Sequence, residues 1–477
     1  MKQKFIVRLA AALLPLAMSP AFAAPATELQ QLREELRRMK DDYERRIETL
    51  ERRIQKTEVA ATPATSAAPA LAQPAPLAAA RAEPAQDHAA GFNPETSLIL
   101  QGRAKSMRDV PERVISGYWP SGHVHGADRR GLTLDHTELA FAASIDPRFR
   151  GTARFAVSGN TIEVEEANFE TSGLGNGLAL KGGRFRSGVG YLNVQHAHAW
   201  DFADAPLMHR ALFGAEGYRH DGVQLKWVAP TDLFLQFGAE IGRGDSFPGT
   251  DRNTSGAGAG AVFAKLGGDV GASHAWQAGL SHFATRATNR VGHIQDTDAA
   301  GPNEVEGRFS GRSRAWIADF VWKWAPNGNA GDRNLKLQAE VFRRSEDGTL
   351  GCNSDVATSP CNNGVALGNY QSRQAGGYAQ AVWQFMPRWR VGARYDWLSP
   401  GTKHYDRDTV FASLDENGAL FSLYRPKRSS LMMDWSPSEY SRLRLQFARD
   451  TAMAGITDNQ VTLQYIMSLG AHGAHHF

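Results

Sequence analysis

The chain has 477 residues, a formal net charge of +3 at pH 7 and a hydrophobic content of 42%. This nearly balanced charge gives no indication of a nucleic-acid-binding surface. Beyond residue 23 no apolar run reaches the roughly 18 residues of a membrane-spanning helix, so the sequence excludes helical spans. It does not exclude a membrane β-barrel, because a barrel strand needs only about 9 to 11 residues that alternate apolar and polar side chains.

Residues 1–23 have the pattern of a secretory signal peptide. Lys2, Lys4 and Arg8 precede a short apolar core, which ends in Ala21-Phe22-Ala23. The core is too short to cross a bilayer as a helix, so we expect cleavage after Ala23 and export of the rest of the chain.

Two segments of different character follow the signal peptide. Residues 24–56 carry a heptad-like repeat of apolar positions with one skip after Tyr43, which predicts a short coiled coil, with a lone amphipathic helix as the alternative. Residues 57–91 are dominated by Ala with recurring Pro, which predicts an extended linker. We expect a periplasmic arm that supports a homotrimer and can contact the cell wall.

Residues 92–477 contain short alternating segments separated by turns and polar connections, which predict an all-β transmembrane barrel of about 16 antiparallel strands in the outer membrane. The predicted strands start near residues 96, 132, 149, 161, 177, 220, 231, 256, 274, 309, 333, 370, 388, 425, 440 and 458.

Connections between the predicted strands alternate in length, as expected of an outer-membrane barrel with short periplasmic turns and long external loops. Met386-Pro387-Arg388 is one of the tight turns, whereas the long polar connections span 107–131, 188–218, 244–255, 288–308, 347–369 and 401–424. Phe477 ends the chain and resembles the C-terminal signal that the barrel assembly machinery recognises.

In each predicted strand, the side chains that alternate with the apolar ones should face the lumen of the barrel. These positions hold thirteen cations against six acids, which predicts a preference for anions, although cross-strand pairing in a non-selective pore is the alternative. The predicted pore-lining cations are Arg103, Lys105, Arg150, Arg154, Lys226, Lys336, Arg344, Arg390, Arg394, Arg428, Arg442 and Arg444, with Lys323 on the same face.

The connection 188–218 is too apolar for an exposed rim, since it contains Trp200, Phe202, Leu212 and Phe213. We expect it to fold back into the barrel as a constriction. The polar residues that would meet a solute there are His196, His198, Asp201, Asp204, His209 and Arg210.

Cys352 and Cys361 lie in one short polar stretch, which favours a loop-closing disulfide in an exported protein over free thiols or half of a metal site. The histidines that occur in pairs and at the C-terminus could bind zinc through their imidazole nitrogens. No further ligand residues lie near them in the sequence, so no firm metal site or cofactor is predicted.

The organisation resembles the phosphate-selective porin O and P family: a signal peptide, a coiled-coil arm and a barrel that ends in Phe. That resemblance implies a trimeric barrel with a basic lumen. Several strings, among them HAHAWDFADAPL at 196–207 and DFVWKWAPNGN at 319–329, resemble proteins named zinc-regulated TonB-dependent outer-membrane receptors. This second resemblance implies an association with zinc, whereas the roughly 386 barrel residues are too few for 22 strands and a plug.

The sequence thus predicts a porin for small hydrophilic solutes. Zinc-linked uptake is one alternative, and a coiled-coil envelope tether with a sealed barrel is another. No convincing Ser/His/Asp grouping suggests an enzyme.

Overall fold

A computed structural model describes residues 94–470 except 111–112, 119–128, 136, 159–160, 172–173, 299–300, 356, 358–360 and 406–422. The predicted signal peptide, coiled coil and linker lie outside the described residues, as does Phe477.

Strands of the second half of the chain show why this sequence forms a barrel that suits a membrane. On β15 (Lys427–Ser438), Leu431 is 60% exposed while its neighbours Ser430 and Met432 are buried. On β16 (Ser441–Thr451), Leu445 is exposed and Arg444 is completely buried. Successive side chains of a strand point to opposite faces, so apolar residues cover the outside and polar residues the inside, which is the reverse of a water-soluble fold.

The remaining strands follow the same principle in a single antiparallel sheet in chain order. Their bounds are β1 (Glu95–Ser106), β2 (Gly131–Leu134), β3 (Thr137–Asp146), β4 (Phe149–Ser158), β5 (Thr161–Thr171), β6 (Leu178–Arg186), β7 (Arg219–Val228), β8 (Phe234–Gly242), β9 (Ala259–Val270), β10 (His274–Asp298), β11 (Gly301–Trp324), β12 (Asn334–Asn353), β13 (Val365–Met386), β14 (Trp389–Tyr405) and β17 (Asp458–Gly470).

The sheet closes where β1 pairs with β17, from Ser97 opposite Gly470 to Ser106 opposite Val461. On its other edge β1 pairs with both β2 and β3, which are two parts of one strand interrupted near Asp135. The barrel therefore has sixteen strand positions, and the predicted fold class is confirmed. Within the described residues, no helix has the length and apolarity that a membrane span requires.

Two predicted connections are wrong in extent. Residues 288–308 are strand almost throughout, because β10 continues to Asp298 and β11 begins at Gly301. Likewise β12 and β13 occupy about half of 347–369, since β12 continues to Asn353 and β13 begins at Val365. Polar composition suggested loops, but a strand that extends past the bilayer needs no apolar face, so these hairpins lose the alternating pattern while they keep their backbone pairing.

Candidate functional site: the inward segment

Residues 187–218 connect β6 to β7 and form what we call the inward segment. Asn193 closes its neck: the Nδ2 atom donates to the carbonyls of Ser187 at 2.8 Å and Tyr218 at 3.0 Å, and the Tyr218 amide donates to Oδ1 at 2.7 Å. Asn193 is buried. One side chain thus replaces the ladder hydrogen bonds that end where the two strands separate.

Two inward-facing glutamates hold the start of the inward segment by its backbone. Glu240 on β8 accepts the Gly188 amide at 2.7 Å, and Glu340 on β12 accepts the Leu192 amide at 2.9 Å. Hydrogen bonds from amides to carboxylates are charge-assisted and stronger than neutral ones. The segment is therefore directed across the lumen from its first residues.

The short helix α1 (Leu207–Phe213) forms an apolar core inside the barrel. Leu207, Met208 and Phe213 are buried against inward residues such as Phe283 on β10 and Phe342 on β12. These contacts explain why a connection so rich in apolar residues does not lie on the rim.

Asp201 and Asp204 tie the middle of the inward segment to the far wall. Asp201 accepts Lys336 Nζ at 2.9 Å and Arg390 at 3.2 Å. Burial alone would raise the pKa of the Asp201 carboxyl, but these cations outweigh it and hold that pKa below its ordinary value.

Asp204 pairs with Arg394 at 2.8 Å and with Arg428 at 2.9 Å. Burial opposes its ionisation, yet these two guanidinium groups keep the pKa of Asp204 below its ordinary value. The buried carboxylate is thereby compensated from two adjacent strands.

Arginines of the barrel wall also donate to backbone carbonyls of the inward segment. Arg344 reaches Ala211 at 2.8 Å and Arg444 reaches Trp200 at 2.9 Å. Further pairs of this kind are Arg394 with Asp204, Arg428 with Ala205 and Arg442 with His198. Seven of the predicted pore-lining cations thus contact this segment: Lys336, Arg344, Arg390, Arg394, Arg428, Arg442 and Arg444.

The other predicted pore-lining cations lie on β1, β4 and β7, and Lys323 lies on β11. Arg103 is buried 3.4 Å from Asp135, and Lys105 is also buried. Arg150 is 2.6 Å from Glu95. Arg154 pairs with Glu138 and Glu166, and Lys226 with Glu170. The anion preference stays a prediction, because it depends on which of these charges a solute can reach.

A polar strip on β5, β6 and β7 is more open than the wall beneath the inward segment. Lys181 and Lys226 both pair with Glu170, at 3.1 and 2.7 Å, and the three side chains are 21%, 24% and 34% exposed. Two lysines face one glutamate, so the strip has a net positive charge. The sequence did not predict Lys181, because Gly182 and Gly183 interrupt the alternation beside it.

Two histidines of the inward segment meet carboxylates of β3 and β5. His196 Nδ1 lies 3.1 Å from Glu138 and 3.3 Å from Glu165, and Nε2 lies 3.2 Å from Glu166. His198 Nδ1 is 3.4 Å from Glu138. The HAH string was predicted to matter, whereas its acidic partners are distant in sequence and were not identified.

Burial lowers the pKa of His196, but the adjacent carboxylates of Glu138 and Glu165 more than reverse this and raise it to about 10. His198 is also buried, and the desolvation outweighs Glu138 and lowers its pKa to about 4. At neutral pH one imidazole of the pair is therefore charged and the other neutral.

His209 and Arg210, also predicted for the constriction, have different surroundings. His209 is buried between Trp200 and Phe213, and among the described residues neither of its ring nitrogens has a hydrogen-bond partner. Burial, with Arg186 nearby, lowers the pKa of His209 to about 3. Arg210 lines a small cavity together with Asp450.

Cys352, at the end of β12, forms a disulfide with Cys361 in the connection to β13, and their Cα atoms are 5.4 Å apart. Both residues are buried. The bridge lies at the hairpin end, away from the contacts of the inward segment described above.

Together these features define a β-barrel with an apolar exterior, a polar interior and a connection folded into its lumen. No family model matches the chain. The chain is 31% identical over 417 residues to an uncharacterized protein of Aquifex aeolicus, a match that covers 81% of this chain and 80% of the other. The chain therefore belongs to the same family as that protein.

Solved structures of similar fold include a loop-deletion form of OmpT, an outer-membrane protein of Vibrio cholerae (TM-score 0.47, 10% identity, 79% of this chain and 99% of that one). Two further structures are similar. One is an anion-selective porin of Comamonas acidovorans (TM-score 0.46, 10% identity, 79% of this chain and 99% of that one). The other is the outer-membrane channel DcaP of Acinetobacter baumannii (TM-score 0.44, 12% identity, 79% of this chain and 97% of that one).

Proposed function

We propose that this protein is an outer-membrane channel for small hydrophilic solutes, narrowed by the inward segment. The observation that carries the proposal is the inverted barrel: Leu431, Leu445 and Leu463 face outward while Ser430, Arg444 and Gln464 face the interior. A polar interior in an apolar shell serves passage of water-soluble molecules through a bilayer.

The passage we propose runs beside the inward segment along the polar strip of Lys181, Lys226 and Glu170. Arg344, Arg394, Arg428 and Arg444 of the opposite wall are buried, so a solute that moves along the strip does not contact them. The net charge of the strip favours anions such as chloride over potassium.

Planar-bilayer recording of the refolded protein across a KCl gradient tests both parts of the proposal. We expect discrete conductance steps and a reversal potential of anionic sign. Complete absence of conductance from correctly folded protein would overturn the channel, and a cationic reversal potential would overturn the selectivity.

Reversing the charge of the strip locates the passage. In the double variant Lys181→Glu and Lys226→Glu we expect the reversal potential to move toward cation preference, because three carboxylates would then line the strip. Arg148→Glu, at the exposed turn between β3 and β4, makes the same kind of charge change outside the strip and should leave the reversal potential near that of wild type. An unchanged potential in the double variant would place the passage elsewhere.

A sealed barrel that serves as an envelope tether is the second candidate. The observation that favours it is the breadth of the inward segment's contacts, which reach from Glu138 on β3 through Glu240 and Glu340 to Arg444 on β16. A protein that inserts fully into bilayers yet never conducts would support this candidate over the channel.

The homotrimer and the periplasmic arm belong to this proposal as well. They are supported by the heptad pattern of residues 24–56. The resemblance to phosphate-selective porins, the anion preference and zinc-linked uptake remain predictions, which phosphate block and zinc block of the conductance would test.

A further inference from the structure

Five side chains from three elements converge where the inward segment meets the barrel wall. His196 and His198 come from the segment, Glu138 from β3, and Glu165 and Glu166 from β5. The side chains of Glu138 and Glu165 are completely buried, and that of His196 is 11% exposed. Burying several ionisable groups together is costly unless they compensate one another or coordinate a cation.

The spacing of the ligand atoms suits a metal ion. The Nδ1 atom of His196 is 3.1 Å from Glu138 Oε2 and 3.3 Å from Glu165 Oε2. One ligand atom from each of these three residues lies within 4.8 Å of the other two. Metal bonds of about 2.0 to 2.2 Å at tetrahedral angles place neighbouring ligand atoms roughly 3.3 to 3.6 Å apart.

Arginines engage the outer oxygens of the two carboxylates. Arg186 binds Glu165 Oε1 at 2.9 Å, and Arg154 binds Glu138 Oε1. In each case Oε2 is the oxygen that faces His196. Outer partners of this kind orient ligating carboxylates in metal sites.

Glu166 completes the arrangement from the far side of the imidazole. Its Oε2 atom is 3.2 Å from His196 Nε2. In the metal-free protein the His196 ring is protonated, and a metal ion would displace the proton of Nδ1, the atom directed at Glu138 and Glu165, while Nε2–H keeps its hydrogen bond to Glu166. This carboxylate-histidine pairing is common beside zinc ligands.

We propose that Glu138, Glu165 and His196 bind a divalent transition-metal ion of the zinc class, with His198 as the adjacent fourth donor. The set of imidazole nitrogen and carboxylate oxygen suits zinc and similar metals better than Mg²⁺, which prefers oxygen ligands alone. The bound ion pins the inward segment to β3 and β5. This site has a structural role, so it is independent of whether the barrel conducts.

Equilibrium dialysis of the refolded mature protein against ZnCl₂, after chelator treatment, tests the proposal by the zinc bound per chain. All proteins should carry His472→Asn, His475→Asn and His476→Asn, which removes the C-terminal histidines as competing zinc ligands. We expect one tightly bound zinc per chain that excess Mg²⁺ does not displace.

Variants identify the ligands. His196→Ala and Glu165→Gln should abolish binding of this zinc, and Glu166→Gln should weaken it about 10- to 100-fold, as for other residues that support a metal ligand. His274→Ala, a histidine that stacks on Trp322 at the start of β10, is the matched control and should bind as wild type does. Undiminished binding by His196→Ala would overturn the proposal.

Amide hydrogen exchange of the inward segment with its native sequence provides a second test, which does not depend on whether a variant folds. Zinc should slow exchange at residues 194–200 and leave the β12–β13 connection unchanged. If the folded protein binds no zinc up to about 100 µM, a concentration far above the dissociation constants of structural sites, the cluster is an internal ion pair centred on protonated His196 and the proposal is wrong.

Discussion

His209 is buried, and within the part of the chain that the structure describes neither of its ring nitrogens has a hydrogen-bond partner. Trp200 and Phe213 pack against its ring, and Arg186 is the nearby charge. Because both the burial and the arginine disfavour imidazolium, the pKa is lowered to about 3 from an ordinary value near 6.5. Protonation of the docked ring is therefore unfavourable above about pH 3.

Acid should therefore release the inward segment. The released state binds a proton below about pH 6.5 and the docked state only below about pH 3, so docking is fully stable above pH 6.5. It weakens by up to about 1.4 kcal/mol per pH unit between these values. Amide exchange of residues 207–213, corrected for its intrinsic dependence on pH, measures this change.

His209→Leu keeps the packing and removes the titrating ring, so its segment should lose much less protection in acid. His198, whose pKa is lowered to about 4 by burial, titrates in the same range, and the difference between the two proteins isolates His209. Identical pH profiles for wild type and variant would show that His209 does not control docking.

The inward segment has little regular secondary structure, and its position inside the barrel depends on contacts made by carboxylates. Asp204 is one of these acids, with Arg394, Arg428 and Gln446 around it. Since these partners come from adjacent strands, one side chain fixes the segment against β14, β15 and β16.

Asp204→Asn removes the charge but keeps the size. Arg394 and Arg428 would lose this carboxylate but keep Asp396 as a partner, so the variant should cost at most the roughly 3 to 5 kcal/mol of docking free energy that breaking a buried pair costs. We expect faster amide exchange at residues 201–213 and, for a conducting barrel, a larger single-channel conductance.

Asp232→Asn, in the exposed turn between β7 and β8, is the matched control and should change neither quantity. If Asp204→Asn has wild-type exchange and conductance, the ion-pair network does not hold the segment.

Strands were the elements most accessible from sequence. A period of two with apolar residues such as Leu443, Leu445 and Phe447 directly reflects one lipid-facing side, so most strand starts were predicted within a few residues. The extents of β10 and β11 were not, because strand beyond the bilayer carries no apolar signal. Glu138 was among the six predicted inward acids, but its grouping with Glu165 and Glu166 around His196 was missed, since β3 and β5 bring these residues together only in the closed sheet.

At the scale of the whole molecule, the outer surface sets where the protein can reside. Trp389 and Trp435 stack at 5.9 Å on neighbouring strands near the short-turn end of the barrel. Leu443 pairs with Trp435 in the ladder, whereas Leu431 pairs with Phe447 farther along the strands. Because aromatic girdles mark the membrane interface, Leu443 lies at the depth of the interface and Leu431 lies deeper in the bilayer.

A charge on the outer face should therefore have a cost that depends on depth. Leu431→Arg places a guanidinium near the bilayer midplane and should destabilise the folded barrel by about 2 to 4 kcal/mol, whereas Leu443→Arg at the girdle should cost about 0 to 1 kcal/mol. Reversible urea unfolding in lipid vesicles, followed by tryptophan fluorescence, measures both values. Equal costs at the two positions would contradict a bilayer around this barrel, because water has no midplane and would solvate either arginine alike.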